Sequence, residues 1–272
     1  MLEENKKKPS GLLHVHTMQD RLTLALYSAS GDLDLFVEHY WIVSWDLRGR
    51  EPYVSENLPH PSVHLTVEPD CCRVVGIVKE KFSFLLSGQG FVFGVKFRPG
   101  AFYPFVRVPV GNFTGRSTAA ADVFGADAAE WERAIRETGD DAGRIALTER
   151  FLLGRKAEGD ESVRLIKTIV DTVSADRTIT SVDVLAERFG LTTRMLQRLF
   201  GKYVGISPKW VIGRYRLLEA ADQLAKGQPQ NWPQLAAELG YYDQSHLIND
   251  FKNIVGMPPD EYVRRNAKAG SV

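Results

Sequence analysis

The sequence predicts an α+β protein in two parts: an N-terminal β-sandwich or small β-barrel with flanking helices, then an all-α domain. Three observations support this. Short runs rich in β-branched and aromatic residues occupy residues 21–98, apolar residues at helical spacing follow, and one residue pattern occurs twice in the helical part. A length of 272 residues is enough for two domains, each with its own core.

The N-terminal part, residues 1–155, has the texture of a sheet with helices beside it. From Ala119 onward, Trp131, Ile135, Ile145 and Phe151-Leu152 lie at helical spacing, and Gly154–Asp160 is rich in glycine and charge, as expected of a linker. Turn-forming residues separate six predicted strands. These strands are Arg21–Tyr27, Phe36–Leu47, Val63–Glu68, Arg73–Val78, Lys81–Leu86 and Phe91–Arg98.

The C-terminal part, residues 161–268, contains an internal repeat. Leu185-Ala186 and Gly190 recur 50 residues later, and four further residues recur with an offset of 51, so the second copy has one extra residue in its turn. Seven matches in a fixed order indicate a duplicated supersecondary unit. The four later pairs are Leu196 and Leu247, Phe200 and Phe251, Gly205 and Gly256, and Pro208 and Pro259.

The first copy, about residues 181–204, predicts a helix, a tight turn and a second helix. Thr180-Ser181-Val182-Asp183 resembles a capping box, and Gly190 follows an apolar face where a left-handed residue would end the helix. Thr192 or Thr193 can cap the second helix. The apolar stripes that close on each other are Val182, Leu185, Ala186 and Phe189 with Leu196, Leu199, Phe200 and Tyr203.

The polar face of that second helix carries Arg194, Gln197 and Arg198 at i, i+3 and i+4. Arginine can bind guanine with two hydrogen bonds and glutamine can bind adenine, each worth roughly 1–3 kcal/mol of discrimination. The stretch Arg188–Arg216, which includes Lys202, holds seven basic residues and no Asp or Glu, so it predicts a positive surface suited to phosphate. A solvated helix face is the alternative reading, and the duplicated framework favours DNA.

A long linker helix is predicted over about residues 208–226, and the second copy over about 231–255. Ser207-Pro208 begins the linker helix, with Val211, Tyr215, Leu218, Ala221 and Ala225 as its apolar stripe. Asn231 caps the next helix. Leu247, Phe251 and Ile254 form the buried stripe of the helix after it, which corresponds to the second helix of the first copy; we call these two helices the reading helices, because their polar faces could contact DNA bases. The outward face of the second reading helix should present Gln244, Ser245 and Asn249. A short helix, Pro259–Arg265, is expected to cover the end.

At these residues the sequence resembles the AraC/XylS family of bacterial transcription regulators, over roughly Arg164 to Arg265. The motifs are Leu185-Ala186 to Phe200 and, more specifically, the run from Leu235-Ala236 to His246-Leu247 with Phe251-Lys252. The resemblance implies that each unit inserts a helix into successive major grooves of double-stranded DNA, about 34 Å apart. It implies DNA-contacting roles for Arg194, Gln197, Arg198, Lys202, Gln244, Ser245, His246 and Asn249.

The second copy departs from the family pattern. Asn249 and Asp250 stand where the family more often has a basic residue, and the span 231–256 has three acidic residues against Lys252 alone. Repulsion from phosphate should weaken this half, so we expect the first unit to supply most of the specificity. The N-terminal part is similar to a less characterised sensor-type domain, which implies effector binding, dimerisation or both. RNA polymerase and a second copy of the chain remain open as partners.

Composition limits the other classes of function. The formal net charge is zero, but residues 161–272 hold 15 Lys and Arg against 12 Asp and Glu. No apolar run suits a membrane span or signal peptide, so we expect a cytoplasmic protein. The adjacent Cys71 and Cys72 suggest neither a disulfide nor zinc. His14-Val15-His16 lacks the residues that would complete a metal site, and we expect no metal or cofactor.

Two rival functions remain for comparison. One rival is a β-barrel enzyme or ligand-binding protein with a helical interaction domain. An enzyme would need catalytic or phosphate-binding motifs that we do not find, so we expect no enzyme. An interaction scaffold would not need an acid-free basic stretch. In the N-terminal part, Arg98 is either a grip for an anionic effector or structurally paired, and His60 and His64 are expected at strand ends. Aromatic residues either line an apolar pocket or form the core: Trp41, Trp45, Phe82, Phe84, Phe91, Phe93 and Phe97.

Overall fold

The N-terminal part is built on an antiparallel sheet whose strands are the β-branched and aromatic runs of the sequence. The computed structural model describes residues 22–29, 31–155, 160–225 and 231–269. Six strands pair in the order β1-β2-β7-β4-β5-β8, and β3 and β6 form a separate two-stranded ribbon. The strands are β1 Leu22–Tyr27, β2 Val37–Asp46, β3 Tyr53–Asn57, β4 His64–Val67, β5 Cys72–Val75, β6 Phe82–Leu86, β7 Gln89–Phe97 and β8 Ser117–Ala119.

The two faces of the sheet have different neighbours because successive side chains of a strand point to opposite sides. On β2, Tyr40 and Ile42 are buried in the main core together with Phe93 of β7. Trp41 and Val43 lie on the other face, towards the ribbon, where Trp45 packs in a small cluster with Leu86 of β6. The predicted sandwich therefore has a six-stranded layer and a two-stranded layer.

The helices of the N-terminal part cover the first face. They are α1 Tyr103–Val106, α2 Ala120–Phe124, α3 Ala126–Glu137 and α4 Asp141–Leu153, with 3-10 turns at Gly31–Leu33 and Val110–Phe113. Trp131 of α3 lies 6.5 Å from Phe93 between ring centroids, and its Nε1 donates to Thr148 Oγ1 at 3.2 Å. Ile135, Ile145 and Leu152 are fully buried, as their spacing predicted.

The C-terminal part is entirely helical within the described residues. Its helices are α5 Glu161–Ala175, α6 Val182–Arg188, α7 Thr193–Leu199, α8 Pro208–Ala225, α9 Trp232–Glu238, α10 Gln244–Val255 and α11 Pro259–Ala269, and a π-helical turn, Phe200–Val204, continues α7. Ser207 Oγ accepts from Trp210 N at the start of α8. Both predicted helix-turn-helix units and the linker helix between them are present, and the last helix runs further than the predicted Arg265.

Two hydrophobic cores hold the parts together. The first unit, including Leu196 and Phe200, shares one continuous core with the sheet and its helices. The second unit, including Leu247 and Phe251, packs against α8 and against Leu58 of the N-terminal part. Each unit is thus anchored to the N-terminal part by its own set of apolar contacts.

Three sequence predictions need correction or completion. Strands β3 and β8 were not predicted, because Tyr53–Asn57 carries polar residues and β8 has only three residues. On α8, the stripe is wrong in part: Leu217, Ala220 and Leu224 are buried, whereas Tyr215 and Leu218 are only half-buried. Helix α8 contacts the N-terminal part and both units, so its buried residues lie on more than one side of the helix. Residues 156–159 of the predicted linker, residues 226–230 and His14-Val15-His16 lie outside the described residues.

Candidate nucleic-acid interface

The first unit begins one residue later than the capping box Thr180–Asp183 predicted, and Asp183 Oδ1 accepts from Thr193 Oγ1 at 2.9 Å instead of closing such a box. Ser181 Oγ accepts from Val184 N at 3.2 Å at the start of α6, and Thr192, not Thr193, caps α7 by accepting from Met195 N at 3.2 Å. Between the helices, Gly190 has φ of +62°, a left-handed conformation that glycine adopts without a steric penalty. These local hydrogen bonds set the angle between the two helices before tertiary packing is considered.

The second unit repeats the turn of the first unit and the positions of its caps. Leu191 N donates to Ala186 O at 2.9 Å, and its counterpart Tyr241 N donates to Ala236 O at 2.8 Å. Gly240 has φ of +64°, close to the value at Gly190. Asn231 and Asp243 provide the two caps, accepting from Gln234 N and His246 N. The repeat inferred from the sequence is therefore a repeat of structure.

The additional residue of the second copy lies in its turn. The cap of the first reading helix follows Gly190 by two residues, whereas Asp243 follows Gly240 by three, and the intervening Tyr242 is 94% exposed. Its ring contacts only His246 edge to face, at 6.4 Å between centroids, among the described aromatic contacts. The turn absorbs the extra residue, so both reading helices begin at their caps and keep the same buried positions.

The reading face of α7 is directed to solvent. Arg194, Gln197 and Arg198 are exposed, and neither arginine makes an ion pair with a described residue. Leu196 and Phe200, on the opposite side of the helix, are fully buried. The three polar side chains that the sequence predicted to project together are thus brought onto one open face with free hydrogen-bonding groups.

The reading face of α10 is equally open and less basic. Gln244, Ser245 and Asn249 are exposed, as is His246, whose backbone N–H donates to Asp243 Oδ1 at 2.8 Å. That hydrogen bond contributes most to lowering the pKa of Asp243, so the carboxylate stays charged at the N-terminus of the helix. A fixed negative charge at this end reduces attraction for phosphate.

Lys202 is placed differently from the other predicted DNA contacts. Its Nζ lies 4.6 Å from the centroid of the Tyr103 ring and 5.1 Å from that of Tyr203, which themselves are 4.4 Å apart. A hydrogen bond with Tyr103 is the largest cause of the raised pKa of Lys202. The side chain is therefore engaged with helix α1 of the N-terminal part rather than projecting with Arg194 and Arg198.

Three of the seven basic side chains in the stretch Arg188–Arg216 do not contribute to the predicted positive surface as free cations. Arg188 forms an ion pair with Asp176 at 2.8 Å, and Arg216 lies over the ring of Tyr241 and donates to Thr180 O. Arg214 is only 2% exposed. An acid-free stretch of sequence does not exclude acids that approach from other elements, and burial removes Arg214 from the surface altogether.

Arg214 instead joins α8 to the N-terminal part. Its Nε donates to Pro59 O at 2.5 Å, and its Nη2 lies 2.7 Å from His60 Nδ1, in the loop that precedes β4. Because a guanidinium can only donate, His60 Nδ1 must accept, which requires a neutral imidazole. Burial first, then nearby cations including Lys96 and Arg214, hold the pKa of His60 well below its usual range. Sequence reasoning missed this contact, since the partners are 154 residues apart.

The remaining candidate groups in the described residues are structural. Cys71 and Cys72 are free thiols, and burial raises the pKa of Cys72 to about 12. Arg98 pairs with Asp34 at 2.9 Å, which is the structural pairing considered from the sequence. Within the described residues there is no cluster of three metal-ligating side chains, and no described helix has the length and apolarity to cross a membrane.

Two helix-turn-helix units joined by one helix define the class of protein: a tandem helix-turn-helix protein with an N-terminal sheet. Comparison with known families agrees, because residues 185–265 match a family model described as "Helix-turn-helix domain". This C-terminal part is a helix-turn-helix domain. Residues 26–119 match a second family model, described as "Domain of unknown function (DUF6597)".

Curated relatives carry the same assignment. An uncharacterized HTH-type transcriptional regulator of Haemophilus influenzae is 31% identical over 81 residues, which are 30% of this chain and 27% of the relative. The HTH-type transcriptional activator RhaS of Escherichia fergusonii is 29% identical over 119 residues, 43% of this chain and 41% of the relative. The chain therefore spans less than half the length of these curated relatives.

Solved structures include similar regulators at low identity. A probable AraC family transcriptional regulator from Rhodopseudomonas palustris is 23% identical, with 39% of this chain and 98% of that chain covered and a TM-score of 0.34. Wild-type ToxT from Vibrio cholerae, in a structure with bound unsaturated fatty acid, is 12% identical, with 97% of both chains covered and a TM-score of 0.37. The assignment of the C-terminal domain rests on the sequence matches.

Proposed function

We propose that this chain is a sequence-specific DNA-binding transcription regulator of the cytoplasm whose two reading helices, α7 and α10, enter successive major grooves. The observation that supports it most is the open face of α7, where Arg194, Gln197 and Arg198 project from a helix whose other side is fully buried. Buried apolar stripes fix the helix. The guanidinium groups on its open face form no ion pair with a described residue, so they can bind base edges and phosphates.

The two units are proposed to contribute unequally. Arg194 and Arg198 give α7 two cations, whereas α10 presents Gln244, Ser245 and Asn249 beside the charged Asp243. Base contacts by α7 would carry most of the sequence preference, and α10 would mainly fix the position of the protein along the DNA. His246 is exposed and belongs to the same proposed surface. Lys202 would reach DNA only after leaving Tyr103.

The N-terminal part is proposed to control DNA binding through a small-molecule effector, with self-association as the other candidate route. A cavity of about 860 Å³, lined by the sheet and by helices α5 and α8, supports control by an effector. His60 and Ser62 line this cavity, and the same loop holds Arg214 of α8. A ligand there would touch the segment that positions the linker between the two units.

A gel-shift titration tests the proposed function. The full-length chain should shift DNA from upstream of its own gene, and the shifted band should persist when unlabelled competitor DNA is added. Its affinity for this DNA should fall by at least about tenfold between about 50 and 200 mM salt. The double variant Arg194→Ala/Arg198→Ala should lose the specific shift. Arg164→Ala removes an exposed arginine of α5 and should leave the shift unchanged. Equal binding of any DNA by the wild type and the double variant would contradict the proposal.

A further inference from the structure

The cavity behind the sheet has walls from both parts of the chain. Its floor is the face of the sheet that carries Trp41 and Val43, its cover is the ribbon of β3 and β6, and its side is formed by Val170 of α5 and Tyr215 of α8. A volume of about 860 Å³ lies within the range of small-molecule sites, roughly 300–1,000 Å³. The site is therefore large enough for a ligand of drug size.

The floor is aromatic because two glycines of β7 make room for two indoles. Gly94 stands opposite Trp41 in the register and Gly90 opposite Trp45. A Cβ added at Gly94 would lie 2.0 Å from Trp41 Cε2, and one added at Gly90 would lie 2.7 Å from Trp45 Cζ2. The indoles therefore lie flat on the strand and present a broad apolar surface. Phe82 and Phe84 face it from the ribbon.

Every acidic side chain of the cavity wall is neutralised by a basic partner. Glu38 accepts from Lys96 at 3.0 Å, Asp34 pairs with Arg98 at 2.9 Å and Asp171 pairs with Lys167 at 2.6 Å. Glu68 is paired with Arg73. Because Lys96, Arg98 and Lys167 are also the only Lys and Arg among the described lining residues, every formal charge on the lining side chains is paired. Arg214, which has no acidic partner among the described residues, is 2% exposed and lies behind His60, outside the lining.

The histidines of the wall add no charge at neutral pH. Burial first, then the charge of Lys96, lower the pKa of His39 to about 4 and that of His64 to about 3, and Glu38 only partly offsets this at His39. His60 accepts from Arg214 and is neutral for the reason given above. Neutral His39 and His64 each have one donor and one acceptor nitrogen, whereas His60 keeps only its Nε2–H donor because Nδ1 already accepts from Arg214. These groups can recognise hydroxyl, carbonyl or amide groups.

We propose that this cavity binds an uncharged, predominantly aromatic or apolar molecule that carries a few hydrogen-bonding groups. An ionic ligand would bring a charge into a wall whose own charges are already paired, and it would lose hydration without gaining a counter-ion. The aromatic floor favours ligands with a large apolar area, and the imidazole N–H groups favour ligands that carry acceptor groups. The proposal names the effector class of the proposed function and rests on it.

Two fluorescent probes with one skeleton test this charge preference. N-phenyl-1-naphthylamine is uncharged at pH 7, and 1-anilinonaphthalene-8-sulfonate adds only a sulfonate. Titrated into the full-length chain at pH 7.5, the uncharged probe should saturate at one site and bind at least about tenfold more tightly than the sulfonate. Equal or tighter binding of the sulfonate would overturn the proposal.

Cavity-filling variants locate the site. Val43→Trp adds bulk on the cavity floor and should weaken the uncharged probe at least about fivefold, whereas Val54→Trp, on the exposed outer side of β3, should not. If Val43→Trp fails to fold, Ser174→Trp at the α5 side of the cavity replaces it, with Thr168→Trp on the exposed side of α5 as its control. Unchanged affinity in the folded cavity variant would place the probe elsewhere and contradict the proposal.

Probe binding and DNA binding fail independently. The titration needs no DNA, so a chain that binds the probe as expected but no DNA would refute the proposed regulator and leave the cavity assignment standing. A chain that binds its upstream DNA but prefers the sulfonate would refute only the ligand class.

Discussion

Arg214, in the helix that joins the two DNA-reading units, lies 2.7 Å through its Nη2 from Nδ1 of His60, a residue of the N-terminal loop before β4. The same guanidinium also donates to Pro59 O. A buried cation held by two neutral acceptors fixes the distance between the sheet and the linker helix α8. The contact makes α8 a shared element of the cavity wall, the N-terminal part and both units.

Removal of this contact should loosen the two parts from each other. Arg214→Met leaves His60 Nδ1 and Pro59 O without a donor, and we expect a loss of about 1–3 kcal/mol in the free energy of unfolding, measured by urea titration. Hydrogen exchange should increase at residues 58–62 and along α8. Lys209→Met, at an exposed position of α8, is the control and should change stability by less than about 0.5 kcal/mol. Equal exchange rates in the two variants would show that Arg214 does not hold the parts together.

The reading helices should differ in their effect on DNA affinity. Arg194→Ala and Arg198→Ala should each weaken binding to the specific site by roughly 1–3 kcal/mol, about five- to 150-fold, in fluorescence anisotropy titrations. Gln244→Ala and Asn249→Ala should cost less, since α10 lies in the more acidic half. All four side chains are exposed, so thermal unfolding should be unchanged. A larger loss from the α10 variants would reverse the proposed ranking.

Acidification should destabilise the folded chain through the cavity histidines. The unfolded chain takes up these protons near pH 6.5, whereas His39 and His64 in the folded chain take them up only near pH 4 and 3. The stabilisation is therefore complete above about pH 6.5 and declines as the pH falls towards those folded-state values. Urea midpoints measured between about pH 7.5 and 5 should decrease, and His39→Gln should flatten the decrease. His246→Gln, at an exposed site, should follow the wild type; a His39→Gln curve of unchanged slope would argue against this origin.

Gly94 should tolerate no side chain. Gly94→Ala places a Cβ 2.0 Å from the Trp41 indole, so the ring must move, and we expect a loss of about 1–3 kcal/mol of stability and a shift in tryptophan emission. Gly139→Ala is the control, because a Cβ there meets nothing within 4 Å. Chemical denaturation of both variants measures the difference. A neutral Gly94→Ala would mean that the indole does not rest on β7.

Local patterns of the sequence were sufficient to predict the helices and six of the strands. The strands that they missed depend on contacts between residues far apart in the sequence. Caps such as Thr192 and Asn231 act within three residues, so their helices could be predicted from residue type and spacing. β3 pairs with β6 across a long connection, and nothing near Tyr53 signals its partner. The six predicted strands are all present, and alternation alone separates Trp41 on the cavity floor from Phe93 and Phe97 in the core.

The candidate DNA surface was predictable for the same local reason, whereas the basic surface and the cavity were not. Arg194, Gln197 and Arg198 share a face by helix geometry alone. Arg188, Lys202 and Arg214 are held by partners that only tertiary packing brings near. These partners are Asp176 for Arg188, Tyr103 for Lys202 and Pro59 for Arg214. The charge balance of the cavity likewise joins residues from β2, β7 and α5.

The extra residue at Tyr242 shows where a duplicated unit can diverge at little cost. An insertion inside α10 would rotate everything beyond it by about 100° and expose Leu247 and Phe251 to water. Placed before the cap, the same insertion leaves the phase of the helix intact and merely adds an exposed ring at the turn. The turn is therefore the position at which an extra residue can be accommodated while Leu247 and Phe251 keep the buried positions of Leu196 and Phe200.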